Sequence, residues 1–198
     1  MLHLTKPDPP SGSHEPGDCL AGQTFGNGPT LGAMSDSAVP GPSSSGEERA
    51  LAALTASGMT YAVTRHGRVR SLEEAAAARG VEPRDIVKTL VVRRGEGDFL
   101  FVLVPGDREI SWPKLRTHLG VNRMSMPDAA TALEVTGYER GTITPFGSTT
   151  AWPVVADVTM TGRAVSIGAG AHGVAATLAA DDVVSALGAD VADVTDPA

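Results

Sequence analysis

Three places in this chain carry residue types suited to acyl chemistry. Lys88 stands inside the run Asp85–Arg93 (DIVKTLVVR), between Ile86, Val87, Leu90, Val91 and Val92. An ammonium group beside such residues can reach water along its own stem or pair with a neighbour, here Asp85. The sharper alternative is that a rigid strand holds the cation at the floor of a pocket, since a buried amine needs a partner or a task. The second place is Gly141–Gly147 (GTITPFG). Its end glycines let backbone approach a ligand, and Pro145 fixes the turn beside Phe146, although an ordinary tight connection has the same composition. The third is His172, in the glycine-rich loop Gly168–Gly173 (GAGAHG). A histidine there suits a hydrogen-bonded surface position as well as a catalytic one. Together the three supply a cation, backbone N–H donors and an imidazole. That set fits attack on an ester or acyl carbonyl, whose oxygen becomes an oxyanion.

Other chemistries find less support. Gly168 and Gly170 form a GxG, but a dinucleotide fingerprint needs a third glycine and a helix directly after it. His172 has no HxxxH or cysteine pair beside it to complete a metal site. No GxSxG elbow occurs, and Ser148 and Ser166 lack any context for a Ser–Lys pair. Arg65, His66, Arg68 and Arg70 lie together in RHGRVR. That run reads equally as a solvated loop or as a small patch facing phosphates.

The elements that must position these residues follow from the hydrophobic pattern. The folded part is expected from Glu47, with a helix in EERALAALTASG closed near Gly58. Thr60–Thr64 reads as a strand. Ser71 and Glu74 have the form of a capping box opening the helix Leu72–Arg79, which Gly80 stops. The Lys88 strand and Asp98–Pro105 (DFLFVLVP) form an antiparallel pair across RRGEG. Ser111 with Pro113 starts a helix ending at Leu119, Arg123–Met126 is a short strand or turn, and Asp128–Thr136 is a helix closed by Gly137. Strands follow at Val154–Val158, Ala164–Ile167 and Val174–Leu178, then a helix at Asp181–Leu187. Residues beyond Asp190 are expected to fray. Strands and short helices in this order predict an α/β (α+β) fold, a mixed and largely antiparallel central sheet with helices packed around it.

The totals set further bounds. The chain has 198 residues, 41% hydrophobic, enough for one domain with a real core, and a formal net charge of −7. A globally basic nucleic-acid coat is therefore absent. Residues 47–198 carry 15 Lys and Arg against 19 Asp and Glu, a balance of −4. Residues 1–46 are rich in Pro, Gly and Ser and read as a disordered tail holding His3, His14 and the single cysteine, Cys19. One cysteine excludes an internal disulfide framework. No apolar run reaches the roughly 18 residues of a membrane span, and no basic start precedes an apolar block, so a cytoplasmic protein is expected.

From about Tyr61 to Leu187 the chain resembles the YbaK/EbsC family, the freestanding prolyl-tRNA editing domains. The resemblance rests on the Ser71–Arg79 helix leading into DIVKTLVVR, the strand DFLFVLVP, the segment TGYERGTITPFG, the strand PVVADV, and SIGAGAHGVAATLAADDVVSAL. It implies a YbaK-like fold and hydrolysis of mischarged aminoacyl-tRNA, above all tRNA-Pro carrying Ala, Cys or another small residue, with no metal or other cofactor. It implies that Lys88 is the essential, catalytic lysine. It implies that the backbone of Gly141, with Pro145, Phe146 and Gly147, positions the aminoacyl group and terminal adenosine. Gly168, Gly170 and His172 would complete the pocket, and the histidine leans towards alanine editing. Arg65, Arg68 and Arg70 would contact the tRNA weakly, and affinity is expected to be borrowed from prolyl-tRNA synthetase. A non-catalytic module binding an aminoacyl-tRNA end or the synthetase is the rival reading, and a small-molecule ester hydrolase on the same scaffold is a second. Met34 precedes SDSAVPGPSSSGEE and is read as an alternative translation start; the mass of the native N-terminus tests it, and a chain beginning at residue 1 removes it.

Overall fold

A computed structural model describes residues 45–198 of the chain. His3, His14, Cys19, Met34 and the expected tail lie outside the described residues. The order is α1 (Gly46–Ala56), β1 (Tyr61–Arg65), α2 (Leu72–Arg79), β2 (Ile86–Gly95), β3 (Asp98–Pro105), β4 (Arg108–Ile110), α3 (Trp112–Leu119), α4 (Ala129–Thr136), β5 (Val154–Asp157), β6 (Ala164–Gly168), β7 (Val174–Ala179), α5 (Ala180–Leu187), β8 (Asp190–Ala192) and β9 (Thr195–Pro197). Seven strands form one sheet in the order β1-β7-β6-β2-β3-β5-β8, and β4 pairs with β9 apart from it. The ladders β1/β7, β7/β6 and β2/β3 are antiparallel and long. The parallel ladders β6/β2, β3/β5 and β5/β8 are only two or three residues deep. The sheet is therefore mixed and largely antiparallel, as the pattern predicts.

The central hairpin shows why this sequence chooses strands. Along β3, Phe99, Phe101 and Leu103 enter a core built with Ala50 and Leu54 of α1, Val183 of α5 and Phe146. Leu100, Val102 and Val104 enter the opposite core with Leu115 of α3 and Val194. The period of two buries both faces, so a continuous apolar run is needed rather than an alternating one. β2 obeys the same parity: Val87 and Val91 face the first core, Val92 faces the second, and Ile86 meets Ala75 and Ala76 of α2. Lys88 shares the parity of Ile86 and Val92.

Local signals act as expected, with three shifts: Ser111 stands at the N-cap of α3, but its side chain makes no capping hydrogen bond, and the other two concern α2 and α1. The Ser71 hydroxyl accepts the Glu74 N–H (3.1 Å), but the Glu74 carboxylate takes the N–H of Arg70 (2.7 Å) instead of that of Ser71. A complete capping box stands at α1, where Ser45 and Glu48 satisfy each other's backbone N–H, so that helix opens at Gly46.

The expected fraying after Asp190 does not occur. β8 extends the sheet beside β5, β9 pairs with β4, and Val194 and Thr195 are fully buried. The cause is Asp157, a completely buried carboxylate at the end of β5. It accepts the Val194 N–H (3.1 Å), the Thr195 hydroxyl (2.8 Å), the Thr159 N–H (3.0 Å) and the Thr159 hydroxyl, with Arg108 Nε 3.9 Å away. Burial pushes this carboxyl up, and the hydrogen bonds from Thr159, Thr195 and Val194 more than offset that, leaving it below the usual carboxylate range. Its stabilising contribution is thus present above the unfolded carboxylate pKa of about 3.9 and is lost as pH falls through the lower folded value. Asp157→Ala, which orphans these buried donors, should cost roughly 3 kcal/mol in urea unfolding. Asp157→Asn should flatten the acid limb of the stability–pH curve; an unchanged acid limb contradicts the assignment.

Candidate functional site

β2 and β6 stay together for two residue pairs, Ile86–Ser166 and Val87–Ile167, and then part. The next contact on that edge of β2 among the described residues is the bridge between Arg93 and Ser125. The backbone edge from Lys88 to Val92 is left without a strand partner, and a cavity of about 400 Å³ opens there. Both faces of β2 line it, Ile86, Lys88 and Leu90 from one and Val87, Thr89 and Val91 from the other, so the opening passes between the two strands. Met126, Pro127, Ala129 and Ala132 form one wall, and Gly141, Ile143 and Gly168 another. Arg79, Arg140 and Asp128 supply the remaining charges. Three cations against one carboxylate make this cavity electropositive within an acidic chain.

Lys88 is half-buried. Its Nζ donates to the carbonyl of Gly106 (3.0 Å) and to that of Arg108, in the turn between β3 and β4. Asp85, the alternative partner, is instead bound by Arg163 (3.1 Å). Burial lowers the Lys88 pKa, and the nearby Asp107 and Glu109 partly restore it. Two of its three N–H donors are spent on carbonyls, which leaves one for a ligand. Those carbonyls are themselves fixed. A Cβ at Gly106 would stand 2.2 Å from the Pro83 carbonyl oxygen, so only glycine permits this turn to seat against the segment before β2. Arg108 lies in β4, which β9 holds, and its guanidinium donates to the hydroxyl and carbonyl of Thr195. Asp157 anchors Thr195 in turn. The C-terminal strands therefore support the lysine through three successive links.

Arg79 ends α2 on the same side as Ile86. Its Nε donates to His66 Nε2 (3.3 Å), and burial lowers its pKa. Asp128 caps α4; the backbone N–H of Thr131 (2.8 Å) is the largest of the influences holding its carboxyl low, with Arg93 a smaller one.

The structure separates the residues that the sequence grouped. Lys88, Gly141 and Gly168 line the cavity. His172 stands at its edge, its side chain 69% exposed and 3.6 Å from Glu139; a Cβ on Gly141 would lie 3.3 Å from its ring. Phe146 is in the core, its carbonyl accepting the Tyr138 hydroxyl (2.7 Å), and Pro145 is not part of the lining. Gly147 and Gly170 make close contacts with α1: added Cβ atoms would meet the Arg49 carbonyl oxygen at 2.4 Å and that of Gly46 at 2.2 Å. Arg65 is paired with Glu47 (2.6 Å), and Arg68 and Arg70 are exposed; none of the three lines the cavity. Sequence reasoning passed over Arg79, Asp128 and Arg140, because the first two read as the end of one helix and the start of another and the third as part of a polar loop. Among the described residues, no helix is long and apolar enough to cross a membrane.

A family model described as an aminoacyl-tRNA editing domain matches residues 66–186. The chain is similar to the proline–tRNA ligase of Thermosipho africanus (strain TCF52B), 40% identical over 80 residues, which is 40% of this chain and 14% of the ligase. It is likewise similar to the proline–tRNA ligase of Geobacter sp. (strain M21), 34% identical over 93 residues, 47% of this chain and 16% of that one. The chain thus matches only a small part of the length of these curated relatives. Among solved structures, a proposed trans-editing enzyme for prolyl tRNA synthetase superposes with a TM-score of 0.70 at 26% identity, covering 77% of this chain and 98% of that one. A hypothetical protein superposes with a TM-score of 0.69 at 29% identity, covering 75% and 99%.

The glycines of the two loops should separate by experiment. Gly170 has φ +80° and no room for a Cβ, so Gly170→Ala should lose about 2 kcal/mol or more in thermal or urea unfolding. Gly168 meets its nearest neighbour, the Ile143 carbonyl oxygen, at an ordinary 3.5 Å, so Gly168→Ala should unfold like the wild type. Equal losses in the two variants contradict the division into packing and cavity glycines.

Proposed function

The chain belongs to the aminoacyl-tRNA editing domain family, and from that premise we propose that it is a hydrolase that deacylates mischarged aminoacyl-tRNA in trans, with tRNA-Pro carrying alanine, cysteine or another small residue as substrate. The observation that carries the reading is the cavity at the parting of β2 and β6, which joins Lys88 to the Gly141 backbone within about 400 Å³. The reaction breaks the ester bond between the amino-acid carbonyl and the terminal ribose oxygen. Water, or the substrate's own 2′-hydroxyl or thiol, adds to the carbonyl carbon, and the proton passes to the departing ribose oxygen. Where water attacks, the products are a free amino acid and an uncharged tRNA; where the substrate's own group attacks, water completes the release. The carbonyl oxygen gains negative charge during attack, and the free N–H of Lys88 with the backbone at Gly141 is suited to receive it. Arg79 and Arg140 are suited to the phosphate and ribose that accompany the ester.

The apolar wall is compatible with a small side chain. Ala129, Ala132 and Ile143 supply its apolar lining, and one methylene discriminates by only about 1–3 kcal/mol. His172, beside Gly141 at the edge, supports a role in shaping the pocket for alanine. Prolyl-tRNA synthetase is the partner from which an acidic domain would draw part of its tRNA affinity.

Full-length protein should deacylate at least one of Ala-, Cys- and Ser-charged tRNA-Pro and spare correctly charged Pro-tRNA-Pro. Lys88→Ala should reduce that turnover about 100-fold or more, by comparison with the loss of one oxyanion donor, with a modestly lowered melting temperature, because the Gly106 and Arg108 carbonyls lose their donor, and with the chain still folded at the assay temperature. No turnover on the whole panel, with tRNA binding retained, would make the protein a binding module instead.

A further inference from the structure

The electropositive character does not end at the cavity. A second, open groove of about 820 Å³ is lined by Arg93, Arg94, Arg116 and Arg123, with Asn122 and Ser125 between them. Glu96 is the one carboxylate in its lining. Asp98, next to it, is engaged by Arg94 (2.7 Å), whereas Arg93, Arg116 and Arg123 make no ion pair among the described residues. Four arginines on one surface are a strong local excess in a chain whose formal net charge is −7.

The groove also adjoins the candidate active site through the chain segment that lines both. Two backbone hydrogen bonds, Arg93 N–H to Ser125 (2.8 Å) and Ser125 N–H to Arg93 (3.1 Å), clamp the segment carrying Arg123 to the far end of β2. The next residues, Met126, Pro127, Asp128 and Ala129, are wall of the cavity. Arg93 is close enough to Asp128 to lower its carboxyl pKa. One short segment thus forms the wall of both spaces, with the arginines on one side and the opened edge of β2 on the other. The expected basic run offers less, because the Arg65 guanidinium is already engaged by Glu47.

We propose that the groove lined by Arg93, Arg94, Arg116 and Arg123 is the docking surface for the double-stranded RNA stem whose single-stranded 3′ end enters the cavity. This rests on the editing reading for the identity of the RNA. Guanidinium forks suit phosphate oxygens, and a groove next to the cavity lets one strand pass from stem to ester without crossing the acidic remainder of the surface. Such contacts are sequence-independent, so the groove sets affinity and orientation while the cavity reads the aminoacyl end.

The test uses the full-length chain and two fluorescent RNAs: a hairpin of an acceptor stem ending in single-stranded CCA, and a single-stranded oligonucleotide with the same 3′ end. Wild type is compared with Arg93→Gln, Arg116→Gln and Arg123→Gln combined, with Arg65→Gln, Arg68→Gln and Arg70→Gln combined, and with Arg123→Glu alone. The groove triple variant should bind the hairpin at least about tenfold more weakly, and its salt slope should fall by about 2–3, one released contact per arginine. Its affinity for the single strand should change less than about twofold. Arg123→Glu should show a smaller loss in the same direction, and the Arg65 set should lose less than the groove set. Hairpin binding that survives the groove substitutions, or falls only in the Arg65 set, overturns the proposal. Deacylation read in parallel separates the two claims: hairpin binding lost without any deacylating activity in the wild type supports the groove and defeats the editing reading, and the reverse result does the opposite.

Discussion

The structure turns on a parting of two parallel strands. β2 and β6 are joined for two residue pairs and then diverge, while β2 stays paired to β3 from Val87 to Arg93 on its other edge. A strand paired on one edge is stiff, yet its other edge exposes backbone donors and acceptors that need partners. The segment 125–132, Gly141, Ile143 and Gly168 close around that edge without pairing to it along its middle. The result is a cavity whose floor is sheet backbone, rigid because the central hairpin is buried on both faces, and polar because the ladder is interrupted. Side chains can be exchanged around such a floor without moving it.

Lys88 gains its definition from the opposite end of the chain. Its amine rests on carbonyls of the β3–β4 turn, that turn is held by β9, and β9 is held by the buried carboxylate of Asp157. Each link is a hydrogen bond to a group that would cost free energy if left unpaired. The proposed catalysis rests on donors that need no reorganisation as charge develops. An amine on a four-carbon stem is flexible by nature, so its restraint must come from what it touches. Here that restraint is distributed over three strands remote in sequence.

Much of the frame was legible from residue pattern. The β2/β3 hairpin declared itself through two apolar runs flanking RRGEG, α2 through Ser71 and Gly80, α3 through Ser111 with Pro113, and α4 through the closing Gly137. The C-terminal strands did not, because Asp190–Ala198 is short, acidic and without apolar period; what orders it is a long-range set of bonds to Asp157 that no local pattern announces. The glycine loops were legible as loops but not as roles. Gly141 and Gly168 line the cavity, whereas Gly147 and Gly170 allow α1 to approach, and the difference lies in which backbone faces each missing Cβ. Arg79 and Arg123 were hidden for the same reason: a helix end and a turn are where arginines ordinarily meet water.

The central claim, that the opened edge of β2 receives the aminoacyl-adenosine end of an RNA, is tested most directly by amide NMR of the full-length chain titrated with 3′-alanylamino-3′-deoxyadenosine, an amide that the reaction does not readily cleave. The account predicts saturable shifts concentrated at Lys88–Val92, Gly141 and Gly168, with the β1/β7 ladder and β9 little affected. Saturable shifts confined to surfaces away from that edge, or none at millimolar ligand, would contradict it.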